Sequence, residues 1–138
     1  MLDSLTSVDW LAVALATLAY FLLGALWFTP LFGRAWDRSL GIERKRGERY
    51  PAMYYVMPLV SSLLVSVATA VLIGAIGIEG WADAALLGLV VGIGYSAAVT
   101  FTNAVTPTTP HPLAFAAITG SHHVVGAVIA AVIIAAMN

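Results

Sequence analysis

The chain has 138 residues, of which 61% are hydrophobic and only 9% are charged, and its formal net charge is −1. Soluble domains carry about 25% charged residues, and a chain of this length has too much surface to hide so much apolar side chain from water. Composition therefore argues against a soluble protein, and near-neutral charge argues against a nucleic-acid binder. Because the chain has no cysteine, disulfides, thiolate metal sites and cysteine nucleophiles are excluded.

Four long apolar stretches predict four membrane-spanning helices. They run from about residue 8 to 28, 56 to 76, 81 to 105 and 113 to 137, close to the ~20 residues that cross the hydrocarbon core. None alternates as a barrel strand would, and a helix satisfies its own backbone hydrogen bonds in lipid. Short links make successive helices antiparallel neighbours. We therefore predict an all-α polytopic membrane protein, a single membrane domain over residues 1–138 forming an antiparallel four-helix transmembrane bundle.

Aromatic residues, a proline and a glycine mark the end of the first span. Pro30 predicts a bend where the chain leaves the membrane, and Gly33 permits a tight turn. Trp27 is typical of a side chain anchored among the lipid headgroups. Anchoring of a helix end explains this cluster without any ligand.

The loop that follows, residues 33–50, contains every basic residue of the chain. Its net charge is +3, whereas the rest of the chain carries −4. Loops rich in Lys and Arg stay in the cytoplasm, so both termini are predicted on the non-cytoplasmic side of the plasma membrane. The loop is expected to attract anionic lipid headgroups or to bind a cytoplasmic partner. Its basic residues are Arg34, Arg38, Arg44, Lys45, Arg46 and Arg49.

Small residues spaced four apart follow one face of the second and third spans. In lipid, helices associate by close packing of such residues. The opposing surface is either another helix of the chain or a second copy. Because four short helices bury little surface, a homo-oligomer is plausible. The predicted packing residues are Ser62, Ser66 and Gly74 on the second span and Gly88, Gly92 and Ser96 on the third.

A few polar residues are expected near the middle of the membrane, where ionisable groups are functional candidates by default. His123 and Tyr95 each lie about 15 Å from the cytoplasmic ends of their spans, at ~1.5 Å per residue. A neutral histidine bonded to Tyr95 or Ser66 would hold helices together, whereas an open histidine would bind a proton or a ligand. Both interpretations remain open. The predicted polar layer comprises Tyr20, Ser66, Tyr95, His122 and His123.

Other chemistry finds little support in the sequence. Zinc needs three or four convergent ligands, and none is expected to gather here, so no metal or cofactor is predicted. No nucleophile–base–acid grouping is visible, which favours a non-enzymatic role. We expect a small homo-oligomeric transporter or permeation unit lined by the polar layer. The alternative is a structural or accessory membrane protein that binds a partner or anionic lipid through the basic loop.

The end of the first span resembles the opening of the DUF1761 family of small membrane proteins. The pattern is read at Gly24, Trp27, Phe28, Pro30, Leu31, Phe32, Gly33, Arg34 and Trp36. Asn103 is similar to an asparagine near the end of the family's third helix, and His123 to a histidine of its fourth. His122 stands where the family often has tyrosine. The resemblance covers nearly the whole chain and implies a four-helix membrane protein of unassigned function. It directs attention to Gly24, Trp27, Pro30, Gly33, Asn103 and His123.

Overall fold

A computed structural model of the chain describes residues 4, 6–45 and 50–138. In this part of the chain, four helical segments are long and apolar enough to cross a membrane: Trp10–Leu31, Met53–Ile76, Trp81–Ala104 and Pro112–Met137. The same residues contain no strand. The prediction of an all-α membrane protein with four spans is confirmed. Two residues of the predicted basic loop, Arg46 and Arg49, lie outside the described residues.

The first span begins at helix α1, Trp10–Leu26, which is capped by a carboxylate. The side chain of Asp9 accepts hydrogen bonds from the backbone N–H groups of Leu11, at 2.9 Å, and Ala12, at 3.2 Å. These N–H groups have no partner inside the helix, and a carboxylate at this end also complements the helix dipole. The sequence therefore fixes the start of this helix at the boundary between polar and apolar residues.

The first span ends in a π-helical turn rather than at residue 28. The turn covers Trp27–Leu31 and contains Pro30, whose nitrogen has no hydrogen to donate to the carbonyl four residues earlier. The backbone widens, and the N–H of Phe32 donates to the carbonyl of Trp27 at 2.8 Å. A Cβ at Gly33 would lie 2.7 Å from the carbonyl oxygen of Phe28. Only glycine fits this close approach, and Gly33 is the first residue of the next helix.

A short helix, α2, Gly33–Leu40, occupies the first part of what was predicted as a loop. The prediction described residues 33–50 only as a basic loop between spans and did not foresee this helix. Helix α2 ends at Gly41 with φ 68°, and the N–H of Ile42 bonds back to the carbonyl of Asp37 at 2.9 Å. This is a glycine-terminated helix end, a signal that the sequence carries at Gly41.

The remaining spans are helix α3, Met53–Ile76, a third span of two helices, and helix α6. The third span consists of α4, Trp81–Val91, a π-helical turn at Gly92–Ala97, and α5, Ala98–Ala104. Helix α6 covers Pro112–Met137, with proline in its first turn, where the missing N–H costs no bond. The bundle core consists mostly of small side chains and includes Ala12, Ala16, Ala130, Ala131 and Ile134.

The small-residue stripe of the third span packs against α6 of the same chain. A Cβ at Gly88 would lie 2.6 Å from Cα of Val128, and one at Gly92 would lie 2.8 Å from Cα of Val124. Ser96 continues the stripe half-buried. The stripe therefore lets two backbones approach closely, and it is not available to a second copy at Gly88 and Gly92.

The second-span stripe divides between the core and the surface. Ser62 is 6% exposed and Ser66 is fully buried, whereas Gly74 is exposed and has only Ser4 near it. The hydroxyl of Ser62 donates to the carbonyl of Pro58 at 2.8 Å. Ser62 and Thr69 thus bond to carbonyls of their own helix, whereas the buried hydroxyl of Ser66 has no partner among the described residues.

Candidate functional site

At the centre of the bundle, α1 and α6 pack so that an aromatic ring of each helix lies against a glycine of the other. Tyr20 and Gly24 lie one turn apart on α1, and His122 and Gly126 lie one turn apart on α6. A Cβ at Gly24 would lie 3.2 Å from Nε2 of His122, and a Cβ at Gly126 would overlap the ring of Tyr20. Each ring therefore occupies the space left by a glycine on the opposite helix.

The hydroxyl of Tyr20 is bound to His123. It lies 2.9 Å from the Nδ1 atom of His123 and 3.2 Å from the backbone carbonyl oxygen of the same residue. Tyr20 is only 2% exposed. A protonated Nδ1 donates to the hydroxyl while the hydroxyl donates to the carbonyl; with the other tautomer, the hydroxyl donates to Nδ1. The pair therefore has two proton arrangements within one geometry.

His122 is buried without a hydrogen-bond partner. It is 7% exposed, and neither of its ring nitrogens reaches a donor or acceptor in the described part of the chain. A neutral imidazole has one donor and one acceptor nitrogen, and each buried group left unpaired costs about 1–3 kcal/mol. Close packing alone does not account for a polar ring at this position.

Aromatic rings surround His122. The ring of Phe28 meets it edge-on at a centroid distance of 4.9 Å, Tyr20 lies at 5.4 Å and Trp27 at 6.1 Å. His123 follows at 5.0 Å. We call these five residues, Tyr20, Trp27, Phe28, His122 and His123, the histidine centre. Two of its members, Trp27 and Phe28, belong to the π-helical turn that ends the first span, so this turn positions part of the aromatic surround of His122.

Two tryptophans hold this arrangement against α6. The indole N–H of Trp27 donates to the carbonyl of Ile118 at 3.0 Å, and that of Trp36 donates to the hydroxyl of Thr119 at 3.2 Å. Trp36 also packs edge-on against Phe28, with ring centroids 5.5 Å apart. Trp27 therefore does more than anchor a helix end at the interface, which was its predicted role, because its indole N–H bonds to another span.

The structure brings together three of the five residues predicted as a polar layer. Tyr20, His122 and His123 converge, and Tyr20 provides the hydroxyl that had been expected from Tyr95 or Ser66. Tyr95 is 70% exposed because it lies in the π-helical turn Gly92–Ala97, whose wider winding changes the direction of the side chains that follow Gly92. Ser66 is buried but makes no hydrogen bond.

Asn103 is separate from the centre. Its side chain is exposed, and the turn after α5 is held by threonines instead, with Oγ1 of Thr106 lying 2.9 Å from Oγ1 of Thr109. The interpretation of Asn103 as a cap for this turn finds no hydrogen bond among the described residues. Nothing in its surroundings explains its match to the family pattern.

Two residues of this region were not singled out as site residues: Gly126, which makes room for Tyr20, and Phe28, which packs against His122. Gly126 had a detectable signal, since it follows His122 by four positions as Gly24 follows Tyr20. Phe28 stands inside the family pattern. Two cavities of the described residues lie at the ends of the bundle, and neither is lined by a histidine. Because Tyr20 is 2% and His122 7% exposed, these two rings are closed off from the surface in this conformation.

Comparison with known proteins gives one match. No curated protein and no solved structure is significantly similar to this chain. The model of a family described as "Protein of unknown function (DUF1761)" matches residues 11–135, a stretch that contains every residue of the histidine centre. The chain therefore belongs to the DUF1761 family.

Proposed function

We propose that the protein is a small membrane transporter or permeation unit, and that the histidine centre is its proton-binding site. The observation that carries this proposal is the buried imidazole of His122, neither of whose nitrogens has a hydrogen-bond partner among the described residues. Ionisable residues inside membrane spans are costly and mark ion and proton pathways. Histidine is the side chain that exchanges protons most readily near neutral pH.

The neighbouring Tyr20–His123 pair supports proton transfer rather than simple packing. The two tautomers of His123 differ in which ring nitrogen carries the proton, and the Tyr20 hydroxyl, 2.9 Å from Nδ1, bonds to the ring in either tautomer by rotating its O–H bond, without movement of a helix. His122 lies beside this pair, with ring centroids of the two histidines 5.0 Å apart. A water molecule entering the centre would connect the unpaired nitrogens of His122 to the pair. Transport then requires opening of the closed centre toward each side in turn.

The arrangement of the bundle in the membrane is part of the proposal. We infer an antiparallel order of the third and fourth spans, because contacting positions rise on one as they fall on the other: Gly88 with Val128, Gly92 with Val124, and Ala97 with Gly120. The basic residues around α2 support a cytoplasmic side for this end of the bundle and a non-cytoplasmic side for both termini. The plasma membrane is the proposed location.

Association of copies is also proposed. The third span is the least buried of the four, with 17% of its most apolar window inside the chain. Tyr95 places a hydroxyl on its outer face at mid-depth, where hydrocarbon offers no partner. Within the described residues this hydroxyl makes no hydrogen bond, so a second copy that packs on this face would satisfy it.

Proton flux into liposomes tests the function. Purified protein is reconstituted with an enclosed pH-sensitive dye, and a potassium gradient with valinomycin drives proton entry. We expect flux above that of protein-free liposomes, and a loss of at least about tenfold in His122→Phe, since phenyl fills the cage without a titratable nitrogen. The matched control is His111→Phe, because His111 is exposed before α6 and should retain full flux.

Two results contradict the proposal. The first is a flux into wild-type liposomes no greater than into empty ones, and the second is a flux through His122→Phe equal to that of the wild type at equal incorporation. Either result would leave the alternative, a structural or accessory membrane protein that acts through the basic region, as the better description. If the His122→Phe variant does not fold, its elution in size-exclusion chromatography differs from that of the wild type before reconstitution. Tyr20→Phe then serves as the test variant.

A further inference from the structure

A cleft of about 720 Å³ lies between the end of the first span and α2. It is distinct from the histidine centre, and the inference drawn from it does not depend on proton transport. Five charged residues line it: Arg34, Asp37, Arg38, Glu43 and Arg44. Their formal charges give this cleft a net charge of +1.

One arginine of the cleft is already neutralised. Nη2 of Arg44 lies 2.7 Å from Oδ1 of Asp37, and this hydrogen bond raises the pKa of the Arg44 guanidinium. The guanidinium also lies over the ring of Tyr50, at 5.8 Å from its centroid. Arg44 and Asp37 therefore form a fixed wall of the cleft rather than a free binding group.

Arg34 and Arg38 remain without a counter-ion. They lie one turn apart on α2, both exposed, and neither forms an ion pair with a residue that the structure describes. Side chains four apart on a helix face the same way. Two guanidinium groups on one face present parallel N–H donors, which match the oxygen atoms of a phosphate. Thr29, also on the lining, adds a hydroxyl that makes no hydrogen bond within the described chain.

The position of the cleft identifies the phosphate as that of a lipid. Leu31, 61% exposed, and Phe32, 40% exposed, lie in the chain between two lining residues, Thr29 and Gly33, and Leu31 is the last residue of a membrane span. Helix α2 is held at this level by the bond from Trp36 to Thr119 of α6. An exposed apolar surface that adjoins a basic cleft suits a molecule with acyl chains and an anionic headgroup.

We propose that this cleft binds the headgroup phosphate of an anionic phospholipid, with Arg34 and Arg38 as its cationic ligands and Thr29 as a hydroxyl donor. The lipid is held by its phosphate in the cleft, while its chains cover Leu31 and Phe32. Trp36 of α2 and Trp27 of the π-helical turn bond to the same turn of α6. A lipid bound to α2 therefore stabilises the π-helical turn beside the histidine centre.

Native mass spectrometry of the full-length protein in mild detergent tests this proposal. The protein is titrated with phosphatidylglycerol and, separately, with phosphatidylcholine. We expect saturable binding of phosphatidylglycerol at one site and at least about fivefold weaker binding of phosphatidylcholine. Arg34→Gln and Arg38→Gln should each weaken phosphatidylglycerol binding about fivefold, the effect of one basic residue near an anionic headgroup. The matched control is Lys45→Gln, which removes the same charge from a residue that does not line the cleft and should change binding less than twofold.

Three outcomes would overturn the proposal. Equal weakening by Lys45→Gln would show diffuse attraction by the basic region instead of a site. Unchanged binding in both arginine variants would exclude the cleft. Displacement of the lipid by inorganic phosphate in moderate excess would show a site for free phosphate. Thr29→Val, which keeps every charge, should weaken lipid binding about two- to tenfold, and it decides the matter where an arginine variant does not elute as a folded protein.

Discussion

Gly126 determines whether Tyr20 can reach His123. The tyrosine ring fills the position that a Cβ would take at Gly126, and its hydroxyl reaches the histidine from there. At Gly24 the approach is less tight, because a Cβ would lie 3.2 Å from Nε2 of His122, a distance that a small shift of the ring accommodates. The tighter of the two contacts thus belongs to the hydrogen-bonded pair, and the looser one to the unpaired ring.

Gly126→Ala should therefore destabilise the protein by about 1–3 kcal/mol, the usual cost of overpacking a close contact. The free energy of unfolding is measured by SDS titration in mixed micelles. The matched control is Gly94→Ala on the third span, because a Cβ at Gly94 meets nothing within 4 Å and alanine favours a helix by at most about 1 kcal/mol. A Gly126→Ala variant as stable as the Gly94→Ala variant would show that packing of the Tyr20 ring against Gly126 does not stabilise the association of α1 and α6.

Individual elements show which features the sequence predicts. Asp9 and Gly77 mark a helix start and a helix end by local chemistry, a side-chain cap in one case and a positive φ of 77° in the other. The small residues Gly88 and Gly92 predicted a packing face correctly, because spacing of four defines one face of any regular helix. What composition could not show was the partner of that face, which proved to be α6 of the same chain.

The π-helical turns limit prediction of the site. Levels along a helix follow from counting residues, and counting put five polar residues at one level; the structure has three of them, Tyr20, His122 and His123, in contact. Direction around a helix requires regular winding, and the turn Gly92–Ala97 interrupts it, so Tyr95 faces outward. Pro30 indicates the other π-helical turn, at Trp27–Leu31. The third span contains no proline, so its sequence lacks this indication of the turn at Gly92–Ala97. Sequence reasoning thus predicts depth better than direction.

At the scale of the whole molecule, the proposed association of copies takes place at the outer face of the third span. Oxidative cross-linking tests this with Val99→Cys, because Val99 is 57% exposed, lies one turn from Tyr95 and leaves that hydroxyl in place. The chain has no cysteine, so any disulfide-linked dimer joins residue 99 of two copies. We expect a cross-linked dimer in native membranes for Val99→Cys and none for Leu64→Cys, a control that is 65% exposed on α3. Equal cross-linking of both variants would indicate random collision.

The proposed orientation of the bundle rests on where its charges lie, and the absence of cysteine from the chain makes this orientation measurable. Glu43 follows α2 in the basic region, Glu79 connects the second and third spans, and both side chains are exposed. Because Lys and Arg residues retain their loop in the cytoplasm, an impermeant maleimide should label Glu79→Cys on intact cells and Glu43→Cys only after permeabilisation. These substitutions each remove one acidic charge, so the charge bias of the two variants stays comparable. Labelling of Glu43→Cys on intact cells would show that the topology is the reverse of the proposed one. It would also move Arg34 and Arg38 away from the leaflet whose anionic lipids they are proposed to bind.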